Sequence, residues 1–229
     1  MTEITALSDL RGEPPLLRSA IPGTRPPSDD GRFRRLLPPG AWDALPRAVQ
    51  ARFSRRVEPG QMRIFVGRVV STHHSWLGLL VAHMARLVGA PLPHAREATG
   101  PSTVVVTESP RLGGQVWTRT YTRADGFPQT INSVKRFAGP TGLEEYLGAG
   151  LAMRLRLRVD GRALLFESAG YDLLVGRRRI PLPAFVSPGR CIVAHHDEGG
   201  GHFAFELALD HPWFGRLVHQ IARFEEVAS

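Results

Sequence analysis

Residues Gln115–Arg123, QVWTRTYTR, alternate without a break. Trp117, Arg119, Tyr121 and Arg123 fall on one face, and Val116, Thr118, Thr120 and Thr122 on the other. A period of two belongs to a strand, because successive side chains leave a pleated backbone on opposite sides. The large aromatics claim the buried face, so Arg119 between them is expected to point inward. A buried guanidinium without a partner costs several kcal/mol. Arg119 therefore needs either an internal carboxylate or a bound ligand.

Strand patterns continue on both sides of this segment. They cover Thr103–Glu108, Thr130–Phe137, Gly150–Val159, Ala163–Val175, Ile192–His196 and Phe203–Leu209. Turn residues separate them: Leu112-Gly113-Gly114, Ala124-Asp125-Gly126, Asp160-Gly161 and Glu198–Gly201. Around Asp160-Gly161, Leu151, Met153, Leu155, Leu157 and Val159 share one face, while Arg154, Arg156 and Arg158 take the other, wet one. Earlier in the chain, Leu45, Val49 and Phe53 predict a helix over Pro46–Arg55, followed by a strand over Arg63–Ser71. Ser75 is placed to cap a second helix, with Trp76, Leu80, His83, Met84 and Leu87 on its apolar face and Gly89 at its end. Phe214, Leu217, Val218, Ile221 and Phe224 fit a helical face after Pro212. The expected fold is thus α+β. A curved antiparallel sheet of about seven strands grips a C-terminal helix, in a helix-grip-like arrangement that leaves an apolar cavity. A closed lipocalin-like barrel is the competing solution.

The chain has 229 residues, 42% of them hydrophobic, which is enough for one domain with a core. Met1–Pro39 is rich in Pro, Arg, Asp and Gly and reads as a disordered tail, with residues 40–229 as a single ligand-cavity domain. The net charge of +8 comes from dispersed arginines, and Lys135 is the one lysine. Nucleic-acid binders cluster their charge and interleave aromatics, so a solvated basic surface is expected and no nucleic acid. Cys191 is the only cysteine, which excludes an intrachain disulfide. The first residues lack a basic and apolar signal pattern, and the apolar run Trp76–Gly89 is too short to span a membrane. A soluble, cytoplasmic protein is expected.

No Gly-rich phosphate loop and no G-x-S-x-G elbow occurs, so no cofactor is expected. His195-His196-Asp197-Glu198 with His202 has metal-binding residue types, but adjacent histidines in a strand face opposite ways, and no metal site is expected. Glu144 or Glu145 is a candidate partner for Arg119. The ligand-binding set expected from the strands is Arg119 as anchor, Trp117 and Tyr121 as aromatic walls, and Asn132, Arg136 and Glu145 as polar contacts. Arginine's planar fork suits a carboxylate or phosphate headgroup, which points to a small hydrophobic acid or acyl ligand. An enzyme in the same cavity, performing cyclisation, dehydration or isomerisation, needs a base from Glu145, Glu167, Asp172 or His83. No residue pattern assigns catalytic residues. A third alternative is a pure interaction module.

Several short motifs, in order, reach beyond this reading. Trp117 and Arg119 form a W-x-R followed by an aromatic, Tyr121. Leu45-Pro46 with Val49 and Phe53, Gly67, Gly89–Pro93 (GAPLP) and Glu145–Gly148 (EYLG) accompany it. Gly176 with Pro181-Leu182-Pro183, Pro188, Pro212 and Gly215 follow. Together, over roughly Leu36 to Phe224, they resemble a bacterial family described only as domain of unknown function four-one-six-six. The chain departs from that pattern twice. Gln115 stands where the family has an acid before the W-x-R, and the His195-His196 stretch stands where a glutamate follows the late proline. The family is often fused behind a saccharopine-dehydrogenase-like NAD(P)-binding domain. The resemblance therefore implies an accessory role, binding a hydrophobic substrate or docking beside a separate reductase that brings the nucleotide.

Overall fold

The computed structural model describes residues 29–87, 92, 99–123 and 126–227. Among them are eleven strands: β1 (Met62–His74), β2 (Gly100–Ser109), β3 (Gly114–Tyr121), β4 (Gln129–Arg136), β5 (Glu144–Gly148), β6 (Leu151–Asp160), β7 (Ala163–Val175), β8 (Arg178–Pro181), β9 (Arg190–Gly199), β10 (His202–His211) and β11 (Gly215–Glu226). Ten of them close on themselves in the order β1-β2-β3-β4-β5-β6-β7-β9-β10-β11, every neighbouring pair antiparallel, with β11 returning to β1. The short β8 is an extra strand on the far half of β7. Closure leaves no free edge in the ring, which is the usual way a large antiparallel sheet avoids edge-to-edge association. Two helices accompany the barrel, α1 (Arg47–Ser54) and α2 (Trp76–Leu87).

The α+β, helix-grip expectation is therefore overturned: the chain forms a closed barrel of mostly sheet. The segment read as a terminal helix is β11, which supplies the seam with β1. Its inward face is Val218, Gln220, Ala222 and Phe224, all buried. Leu217 is buried too, because α2 lies over it, with the Ser75 amide donating to the Leu217 carbonyl. A polar residue and a small one inside, together with an apolar one outside, erase the alternation and imitate a helical stripe. Pro212 sits in a tight β10–β11 hairpin, not in a first helical turn, and Gly215 (φ +66°) completes it opposite His211. Two strands absent from the sequence reading, β5 and β8, are only five and four residues long.

Other expectations match closely. α1 occupies the predicted helix with Val49 and Phe53 buried. Ser75 caps α2, its Oγ accepting from the Gly78 amide at 3.0 Å. The inner and outer faces of β6 fall as the alternation indicates, with Leu155 and Leu157 buried and Arg156 and Arg158 exposed. The buried face of α2 is the opposite of the expected one. Ala82 is buried and Val81 and Ala85 face the interior, whereas Trp76, Leu80 and Met84 are more than half exposed. Gly78 sets this orientation, because a Cβ there would lie 2.0 Å from the Leu217 carbonyl oxygen. The proposed end of α2 at Gly89 and most of the Gly89–Pro93 motif lie outside the described residues, as does the expected tail up to residue 28.

The antiparallel order gives the barrel two unlike ends. At the base, residues 29–57 form a plug. Phe33 is fully buried and meets Phe53, Phe137 and Phe166 edge-on at 5.4, 4.9 and 6.0 Å. Arg32 pins this segment down, bonding Asp30 and Glu108 at 2.7 and 2.9 Å and stacking 4.2 Å over Phe137. At the other end, the mouth, α2 lies across the β1–β11 side. The β3–β4 and β10–β11 hairpins and the turn Ala184–Val186 rise around it.

Candidate functional site

Inward alternation from nine strands leaves a cavity of about 180 Å³ inside the barrel. It runs from Val81, Ala85 and Leu92 at the mouth down to Phe53 of the plug and to Phe166. Most of its wall is apolar: Val104, Trp117, Ile131, Leu147, Met153, Val193, Phe205, Leu207 and Leu209. An apolar cavity of about 150 Å³ accepts a benzene-sized molecule, so this one has room for a ring or a short chain.

One patch of the wall is charged, and strand register explains how it is assembled. Trp117 lies opposite Ser133, and Lys135 lies between Gln115 on β3 and Glu145 on β5. These residues share the inner face, so Arg119, Ser133, Lys135 and Glu145 converge. Glu145 accepts from Ser133 Oγ at 2.6 Å and from Lys135 Nζ at 3.1 Å. Arg119 donates to Ser133 Oγ at 3.0 Å and reaches Glu145 Oε1 at a longer 3.4 Å. Lys135 Nζ also faces the Trp117 and Phe166 rings at 4.8 and 5.3 Å. The Trp117 indole N–H is buried and has no hydrogen-bond partner among the described residues.

The electrostatics follow from this packing. Burial alone would raise the Glu145 carboxyl, but Lys135, Arg119 and the Ser133 hydrogen bond overcome it and hold the group down to about 2. Burial pushes the Lys135 ammonium down, against the pull of Glu145, and Arg119 adds to the fall. Burial raises the phenols of Tyr121 and Tyr171. The Cys191 thiol, which also lines the cavity, is pushed up to about 12 by burial and then by Glu145, so it remains an inert thiol at neutral pH. Two cations, Arg119 and Lys135, thus share one carboxylate in a low-dielectric wall, leaving a net positive charge.

The structure brings together four of the six expected site residues: Trp117, Arg119, Tyr121 and Glu145 all line the cavity. Arg119 does point inward, and of the two candidate carboxylates it meets Glu145. Asn132 borders the cavity but is exposed, and its side-chain oxygen accepts from Thr118 at 2.8 Å. Arg136 lies outside, bonded to Glu144 at 2.5 Å and stacked 4.6 Å over Tyr146. Glu144 and Asp172 belong to that outer network, in which Arg179 bridges them at 2.6 Å each and Arg154 adds a 3.5 Å contact to Asp172. Glu167 pairs with Arg190 at 2.6 Å, and His83 is exposed, so neither is a base for the cavity. Gln115, two residues before Trp117, is buried beside Lys135 in the register. The adjacent histidines do face opposite ways: His195 is buried, and His196 is partly exposed beside Glu206. Among the described residues no group of His, Cys, Asp and Glu is arranged to hold a metal.

The family model for the domain of unknown function DUF4166 matches residues 45–224. The chain belongs to that family. Neither a curated protein nor a solved structure matches it. The matched DUF4166 segment begins just before α1 and ends within β11, so it contains the charged patch and every residue lining the cavity. Residues 29–44, which complete the plug, precede it.

Lys135, Ser133 and Gln220 are the site residues that sequence reasoning missed. The signal for two of them was present, since Ile131, Ser133 and Lys135 alternate on the face of β4 that Ile131 marks as buried. Gln220 was hidden by the helical reading of β11; it lines the cavity and donates to Thr72 Oγ1 at 3.1 Å.

Proposed function

We propose that this DUF4166 domain binds a small hydrophobic acid or acyl ligand in the barrel cavity. The observation that carries the reading is the charge imbalance of the wall: Arg119 and Lys135 face one carboxylate, Glu145, among apolar side chains. Uncompensated charge in such a setting is costly, and a ligand carboxylate restores the balance. Arg119 is the anchor. Its 3.4 Å contact with Glu145 is the loosest in the patch, while Lys135 and Ser133 already satisfy that carboxylate. The Trp117 N–H offers a further donor to a ligand oxygen. The ligand's body fills the space between Ile131, Phe205 and Leu207 and enters by the mouth.

Calorimetric titration with octanoate and with octanol tests this. The two differ only at the head, so the charged patch should favour the acid at least about tenfold, the worth of one charge-assisted hydrogen bond. Arg119→Leu should abolish the preference while costing the fold only about 1 kcal/mol, because Glu145 keeps its two closer partners. No binding of either compound, or equal binding of both, would sink the reading.

A further inference from the structure

Lysine and arginine together number 29 in this chain, and Lys135 is the one lysine, so 28 are arginines. Wherever the barrel needs a cation on its surface or in an outer network, it uses a guanidinium. The single exception is buried in the cavity wall. The two side chains are not chemically equivalent. A guanidinium stays protonated in proteins, whereas a lysine amine placed in an apolar site gives up its proton and becomes a nucleophile. An arginine here would supply charge but no free electron pair.

We propose that Lys135 condenses with the carbonyl carbon of an apolar aldehyde or ketone held in the cavity, forming an imine. The inference rests on the same cavity taking a ligand, and it adds that the ligand class includes carbonyl compounds. The geometry places the needed groups together. Nζ lies 3.1 Å from Glu145 Oε2, and its other near neighbours are the faces of Trp117 and Phe166. The downward pull of burial on the ammonium acts in the required direction.

The step balances with no outside reagent. The ammonium passes one proton to Glu145, and the neutral Nζ attacks the carbonyl carbon. A C–N bond forms and the carbonyl π pair moves to oxygen. A second proton shifts from nitrogen to that oxygen, giving a carbinolamine. Glu145 returns its proton to the hydroxyl, the C–O bond breaks, and water leaves. The product is a protonated imine beside the Glu145 carboxylate, so the pair keeps the charges it began with. Arg119 and Ser133 remain to hold the carboxylate in place.

The purified full chain is treated at pH 7 with octanal and cyanoborohydride, and the adduct is located by intact mass and peptide mapping. Lys135 competes only with the α-amino terminus. An ordinary lysine, near 10.4, holds far less free amine at pH 7 than an α-amino group near 7.7–8.0, so an inert Lys135 labels after the terminus. The expected result is one octyl group per chain, on Lys135, in about tenfold excess over the terminus, with that excess lost in urea. Lys135→Arg should carry no internal adduct. Preferential labelling of the terminus in the folded protein, or an excess at Lys135 that survives unfolding, overturns the proposal. Octanoate binding without a Lys135 adduct removes the imine and leaves the binding reading intact. Failure of both experiments removes both.

Discussion

The two ends of this barrel are built from similar residues and arranged to opposite effect. At the base, Phe33, Phe53, Phe166 and Phe203 turn inward and interlock, and His195 is enclosed among them, stacked on Phe203 at 4.9 Å. At the mouth, Trp76, Leu80, Met84, Phe127, Phe185, Trp213 and Phe214 turn outward and are exposed, two of them tryptophans at 69%. Aromatic content therefore does not make a core; its direction does, and direction is set by what lies across the barrel. The base has residues 29–57 to pack against. Among the described residues the mouth has a single helix, seated against β11 at Gly78.

That contrast can be broken most directly at the base. Phe33→Ala should cost about 4 kcal/mol, since a fully enclosed ring leaves a cavity the plug cannot collapse into. Urea midpoints at constant m would show it, and a loss below about 1 kcal/mol would mean the plug contributes little. Next in size is Lys135→Met, at about 3 kcal/mol, because Glu145 remains buried with Ser133 and the longer Arg119 contact only. Adding Glu145→Gln to that variant should recover much of the loss, and no recovery would show that the pair is not the source.

The base and the cavity wall also differ in how they respond to acid. His195 has neither ring nitrogen hydrogen-bonded among the described residues, and burial, with Arg52 nearby, holds it well below its ordinary 6.5. Its folded value lies below its unfolded one, so the unfolded chain takes the proton first. Stability falls as pH drops below about 6.5, at up to about 1.4 kcal/mol per pH unit, until the folded group itself protonates. His195→Phe should flatten that slope relative to wild type. Glu145 in the cavity wall acts lower. Its contribution is complete above 4.5 and is lost as pH falls towards its folded value of about 2. Parallel slopes for wild type and His195→Phe between pH 6.5 and 5 would exclude the histidine as the acid-sensitive group. The smallest effect belongs to the mouth: Trp213→Ser should change stability by less than about 0.5 kcal/mol, as exposed positions do.

Sequence alone carried most strands and the inward direction of Arg119, because alternation in β3 and β6 is enforced by one wetter and one drier face. It failed where the interior is not uniformly apolar. β11 places Gln220 and Ala222 inside and Leu217 under α2, so the residues that make a cavity are the ones that spoil the pattern. The exposed apolar face of α2 was assigned inward for a related reason: hydrophobicity marks a face but not what it meets. Lys135 was readable from its place two residues after Ser133, yet a lone cation on an inner face is discounted by any rule that sends charge to solvent.

The seam between β1 and β11 has a consequence in time. Phe65 lies opposite Glu226 and His74 opposite Val218, pairings 161 and 144 residues apart along the chain. Every other wall of the ring joins strands that are much closer in sequence, so the seam carries the largest loop-closure entropy and forms last. During synthesis at roughly 5–20 residues per second, β1 waits on the order of ten seconds for its second partner. Through that interval its edge is open and the cavity has no back wall. The cavity is thus complete only when the final strand is delivered, and the newborn chain is most exposed to mispairing until then.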